Sequence, residues 1–156
     1  NTHAGVEYLN FDIERWRYDA AILAAKNAAR RAGQLEIVNR PSRDAATSAA
    51  VHAFFAPVVD FVRTAVGVGG SVLIHCFAGA HRAGTTGVAF LMFQEGFTAD
   101  DAIAAAQRMR PVIDPKAYGE LSALLLLLED ALQARQGSEE AGREALPAEA
   151  RLTPGA

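Results

Sequence analysis

The sequence predicts an α/β domain in three layers, a short and mostly parallel sheet flanked by helices. Three observations predict it. A short apolar run, "SVLIH" (71–75), lies between glycines and leads into a glycine-containing loop and an apolar helix. Other strand-like runs alternate along the chain with alanine- and leucine-rich helical stretches. A chain of 156 residues, 51% hydrophobic and 21% charged, suits one globular domain with one core.

In chain order, "VEYLNFD" (6–12) alternates apolar and polar side chains over part of its length and reads as a strand. "YDAAILAAKNAARRAG" (18–33) is an alanine-rich helix with Gly33 as its stop. "LEIVN" (35–39) is a second short strand, and "RPSRD" (40–44) a polar loop. Val51, Phe55, Val58, Val62 and Val66 recur at helical spacing, and Pro57 inside that stripe is expected to kink or split the helix. "GVGG" (67–70) breaks the chain before the 72–75 strand, which is expected to be fully buried.

After the loop, 83–96 reads as a buried helix ended by Gly96. Thr98 with Asp101 three residues on resembles a capping box for the next helix. Asp114 as cap and Pro115 at the first helical position open the last helix, with Leu121, Leu124, Leu125, Leu128 and Leu132 as its core stripe. From Gln136 the apolar content falls, so the expected division is a domain at 1–135, truncated at its N-terminus, and a disordered tail at 136–156.

A net charge of −3 gives no electrostatic case for nucleic acid or an anionic membrane, and unbroken apolar runs such as "ALLLLL" (123–128) are too short to span a bilayer. One cysteine forms no internal disulfide, which suits a reducing, cytoplasmic setting. Four scattered histidines suggest no metal and no cofactor.

The chemistry concentrates in "VLIHCFAGAHRAGTTG" (72–87). Strand, tight loop and helix together form an anion-binding layout, because loop N–H groups and the first helical turn converge on one spot with the helix dipole behind them. Gly79 and Gly84 permit backbone angles and close approaches that other residues resist. Cys76 lies at the mouth of that field, so its thiol is expected below the free value of about 8.5 and usable as a nucleophile at neutral pH. Arg82 brings a planar fork matched to two oxygens of a tetrahedral oxyanion. Phe77, Ala78, Gly79, Ala80 and His81 complete the phosphate cradle, with His75 and Thr85 supporting it. Attack on phosphorus is the reaction these parts suit.

"HCFAGAHRAG" (75–84) resembles the His-Cys, five residues, Arg signature of the cysteine-dependent protein tyrosine phosphatase superfamily, and the compact size resembles its dual-specificity branch. The resemblance runs from about Asp44 to Leu132, including "RMRPVIDPKAYGELSALL" (108–125). It implies a two-step reaction in which Cys76 forms a cysteinyl phosphate. It places a general-acid aspartate roughly thirty residues before the cysteine, and Asp44 lies 32 positions upstream (76 − 44). Asp44 is also placed to cap a helix; Asp12, Asp19 and Asp60 are its rivals. The substrate implied is a phosphorylated protein, with phosphorylated lipid, glycan or small molecules left open, as is oligomeric state. The loop contains no lysine, in contrast to many lipid-directed relatives.

One position departs from the pattern. The family usually has Ser or Thr after the arginine, where its hydroxyl assists hydrolysis of the intermediate, and this chain has Ala83. The resemblance then implies a slow second step, unless Thr85 or Thr86 substitutes. The alternative is a weakly catalytic module that captures phosphorylated partners. Gly79 to Thr86 also approaches a nucleotide-binding P-loop, but Thr85 stands where the lysine belongs.

Overall fold

Leucines of the last helix organise the core. The computed structural model describes residues 5–18 and 45–144, which comprise a 3-10 helix at Ile13–Tyr18, α1 (Ala45–Gly67), α2 (Arg82–Glu95), α3 (Ala99–Met109), a 3-10 turn at Pro115–Ala117 and α4 (Gly119–Glu144). Leu121, Leu124, Leu125, Leu127 and Leu128 of α4 are buried with Val51, Phe55, Val58 and Val59 of α1, and with Val88, Ala89 and Met92 of α2. Ala102, Ile103 and Ala106 of α3 close the cluster.

The α1 helix continues through Pro57, neither split nor ended there. Proline costs a helix interior about 3 kcal/mol, while each buried Val or Phe contributes about 1.5–3 kcal/mol. Val51, Phe55, Val58, Val59 and Val62 on one face therefore outweigh one lost donor. Val66, expected in that stripe, is exposed. By length and composition alone, Ser48–Gly67 is apolar enough to cross a membrane; its Val51, Phe55, Val58 and Val59 share the core cluster with the α4 leucines.

Helix ends follow local chemistry. Gly96 ends α2 with φ 68°, donating its N–H to the Met92 carbonyl. Thr98 accepts the Asp101 N–H at 3.2 Å and its hydroxyl donates to the Asp101 carboxylate at 2.7 Å. Glu129 of α4 accepts the Ala99 N–H, fastening α3 to the core. Asp114 does cap, accepting the Ala117 N–H at 3.1 Å, but it caps the separate 3-10 turn. Tyr118 then takes extended angles, so the last α-helix starts at Gly119.

That helix runs to Glu144, nine residues beyond the expected boundary at 135. Its backbone bonds carry it past the last core leucine, and the Ser138 hydroxyl donates back to the Ala134 carbonyl. The rest of the expected tail, 145–156, lies outside the described residues, as do the 19–44 segment with its expected helix, the strand at 35–39, Asp19 and Asp44.

No strand is present among the described residues. A strand exists by pairing, and neither 6–12 nor 72–75 has a ladder partner there. Val6, Tyr8 and Leu9 are exposed, so 6–12 has no buried face until Phe11 reaches Phe54 and Phe55, with ring centroids 5.0 and 5.7 Å away. The 72–75 segment is not fully buried: Val72 and Ile74 are half-buried, while Leu73 and His75 are exposed.

Candidate active site

The loop between residue 75 and α2 closes around a sulfur. The Gly79 N–H donates to Cys76 Sγ at 3.2 Å. Burial is the largest single influence on this thiol and pushes it up. The N–H groups of Ala83, Gly79 and Ala78, together with the Arg82 charge, outweigh it, so the thiol lies below its ordinary value.

Each backbone feature serves that convergence. Gly79 has φ 68°, a left-handed conformation that side chains resist. Gly84 serves close approach: a Cβ there would meet Ile113 Cγ2 at 3.0 Å. His81 caps α2 with no side-chain hydrogen bond, which leaves the first-turn N–H groups to the loop. The Asp114 N–H donates to the Ala80 carbonyl at 3.2 Å and ties the loop to the segment after α3.

A cavity of about 350 Å³ opens over the sulfur, lined by Glu14, Cys76, Phe77, Ala78, His81, Arg82, Tyr118 and Leu121. The sequence places Cys76, Phe77, Ala78, His81 and Arg82 together, and the cavity walls contain all five. Gly79 donates its N–H to the sulfur, and Ala80 is buried. Thr85 is buried with its hydroxyl on the His81 carbonyl at 2.8 Å, and the Thr86 hydroxyl donates to the Arg82 carbonyl at 3.0 Å. Both hydroxyls are thus committed to the helix's own carbonyls rather than to Cys76. His75 is exposed, and no hydrogen bond among the described residues joins it to the loop.

The sequence reading missed three lining residues, Glu14, Tyr118 and Leu121, the last of them expected only in the core. Glu14 Oε2 lies 3.7 Å from Arg82 Nη1, with both side chains 47% exposed. Its placement follows from its neighbours. Ile13 and Trp16, three apart on a 3-10 helix, share a face and are buried, while Glu14 turns toward the cavity. Asp12, a rival for the acid role, starts that turn by accepting the Glu14 N–H at 3.0 Å. Asp60 does not line the cavity. Tyr118 stands edge-on to His81, centroids 4.7 Å apart at 82°.

Residues 14–124 match the family model for the dual specificity phosphatase catalytic domain. The chain is 44% identical over 64 residues to Dual specificity protein phosphatase 1 of Arabidopsis thaliana, covering 41% of this chain and 32% of that protein. It is 31% identical over 96 residues to Dual specificity protein phosphatase 1 of Homo sapiens, covering 62% of this chain and 26% of that protein. The matches thus span about a third or less of these relatives' own length. No solved structure matches the chain.

Proposed function

The chain belongs to the family of dual specificity phosphatase catalytic domains, and on that premise we propose that it hydrolyses phosphate monoesters of phosphorylated proteins through a cysteinyl-phosphate intermediate. The family's fold is α/β, the class the sequence predicts. In this proposal 72–75 is the strand that delivers Cys76 within a short, mostly parallel sheet carrying helices on both faces. The alternation of half-buried Val72 and Ile74 with exposed Leu73 and His75 supports a pleated segment.

The observation that carries the function is the sulfur itself, which accepts the Gly79 N–H in a cavity it shares with Arg82. Cys76 Sγ attacks phosphorus, the S–P bond forms as the ester P–O bond breaks, and the leaving oxygen takes a proton from Asp44. Water then attacks phosphorus and passes its proton to the Asp44 carboxylate, and the S–P bond breaks. The loop N–H groups and Arg82 hold the equatorial oxygens. Glu14 anchors one side of the Arg82 guanidinium, leaving its other donors to the phosphoryl group. Residues 1–135 form the catalytic unit in this proposal.

Hydrolysis of p-nitrophenyl phosphate tests the assignment. Cys76→Ser abolishes turnover, Arg82→Ala lowers kcat about a hundredfold or more, and Asp44→Asn lowers it about a hundredfold with loss of the pH limb due to the acid. Undiminished turnover by Cys76→Ser would refute the proposal. Ala83 favours a second reading, a phosphate-capturing module of little turnover; tight phosphopeptide binding without product release by the wild type would establish that reading instead.

A further inference from the structure

We propose that a second cavity, between the first turns of α1 and the outer half of α4, binds a small monocarboxylate with an apolar body. The inference is independent of the phosphatase assignment. The cavity measures about 630 Å³ and shares no wall residue with the one over Cys76. Ser48 and His52, four residues apart on α1, line one side of it, and Ala131, Ala134 and Arg135 of α4 line the other.

A hydroxyl points to the ligand. Ser48 is 4% exposed, and its Oγ has no hydrogen-bond partner. Buried polar groups are nearly always paired, and one left unpaired is destabilising. Thr85, Thr86 and Ser138 each give their hydroxyl to the carbonyl four residues back; Ser48 does not. Three further features surround it. Arg135 makes no hydrogen bond or ion pair among the described residues, although Glu139 follows it by one turn. Burial, and then the Arg135 charge, hold His52 below its ordinary value, so at neutral pH its ring is uncharged and still has an N–H to give. That ring stands against Phe93, centroids 4.9 Å apart. Finally, α1 starts at Ala45, so Ser48 stands in the turn where the helix dipole is positive.

These groups select the charge of the ligand. Hydroxyl, imidazole N–H, guanidinium and dipole all favour an anion. Asp130 and Glu139 also line the cavity and oppose one. Asp130 is itself partnered, and Glu139 is exposed, where salt screens it. Two carboxylates beside one guanidinium still penalise a doubly charged phosphoryl group, so a single negative charge fits better. Ala49, Ala131 and Ala134 present only methyl groups to the rest of the ligand, which is therefore apolar. The volume lies within the range of small-molecule sites, about 300–1,000 Å³.

The test is calorimetric titration of the full chain with isocaproate, and with isoamylamine as a cation of the same branched shape. Saturable one-to-one binding of isocaproate is expected, with none of the amine. Arg135→Ala weakens it about tenfold or more, and Ser48→Ala about threefold to tenfold. Without ligand, Ser48→Ala leaves Tm unchanged or raises it, because it removes an unpaired buried group. Arg135 is exposed, so its variant keeps the question answerable if Ser48→Ala does not fold. Absence of saturable isocaproate binding, tighter binding of the amine, or affinity unchanged in Arg135→Ala overturns the proposal. So does a fall in Tm in Ser48→Ala, which would show the hydroxyl already paired within the fold. Loss of binding in Arg82→Ala also overturns it, by placing the carboxylate on the catalytic loop.

Discussion

Glu14 Oε2 and Arg82 Nη1 meet 3.7 Å apart at the cavity that holds Cys76. They are remote in sequence, and buried Ile13 and Trp16 bring them together by fixing the turn that carries Glu14. The pair is half-exposed, so its contribution is that of a solvated ion pair, about 0.2–1 kcal/mol. In the proposed reaction Glu14 serves to keep the Arg82 guanidinium on the cavity side rather than to stabilise the fold. Glu14→Gln is expected to lower kcat/KM for p-nitrophenyl phosphate about twofold to fivefold with little change in Tm. A rise in kcat/KM would show that Glu14 competes with substrate for Arg82.

The lowered Cys76 thiol predicts a pH dependence. The thiolate is the species that alkylates, so the midpoint of the iodoacetamide rate against pH lies below the free-cysteine value of about 8.5. Arg82→Ala removes one of the influences that lower it and moves the midpoint upward. A wild-type midpoint at or above the free value would contradict the geometry at Sγ.

Ala83 is buried in the first turn of α2, and its N–H is among those that favour the thiolate. The Thr85 and Thr86 hydroxyls are engaged with the His81 and Arg82 carbonyls, so neither supplies the missing hydroxyl. Ala83→Ser is therefore expected to raise steady-state turnover and shorten the intermediate's lifetime in rapid-quench experiments. Unchanged burst and steady-state rates would count against this.

Gly84 is packed against Ile113, and Gly84→Ala overpacks that contact. The cost is about 1–3 kcal/mol, read as a fall in Tm of a few degrees. Adding Ile113→Ala removes the opposing methyl and is expected to return part of the loss. If Tm does not change in Gly84→Ala, the close approach has no energetic weight.

Legibility in the sequence divided along the line between local and long-range causes. Gly96 as a stop, Thr98 with Asp101 as a cap, and the loop from Cys76 to Arg82 are set by side chains within a few positions of one another, and the structure has them where local rules put them. Pro57 shows the reverse case, in which a local rule yields to burial along the whole of α1. Asp114 and Pro115 carry a good start signal, yet extended Tyr118 separates their turn from α4. Glu14 and Tyr118 were invisible as site residues because nothing near them in sequence resembles the loop; tertiary packing alone carries them to it. Strand pairing is long-range in the same way, and the apolar character of 72–75 did not reveal that Leu73 is exposed.

The most direct test is chemical quenching of the wild type within its first turnovers on p-nitrophenyl phosphate, followed by mass analysis of the peptide containing Cys76. The account predicts one phosphoryl group on that peptide, formed with a burst of p-nitrophenol of one equivalent and absent in Cys76→Ser. Steady release of p-nitrophenol with no label on Cys76, or equal release from Cys76→Ser, would contradict it.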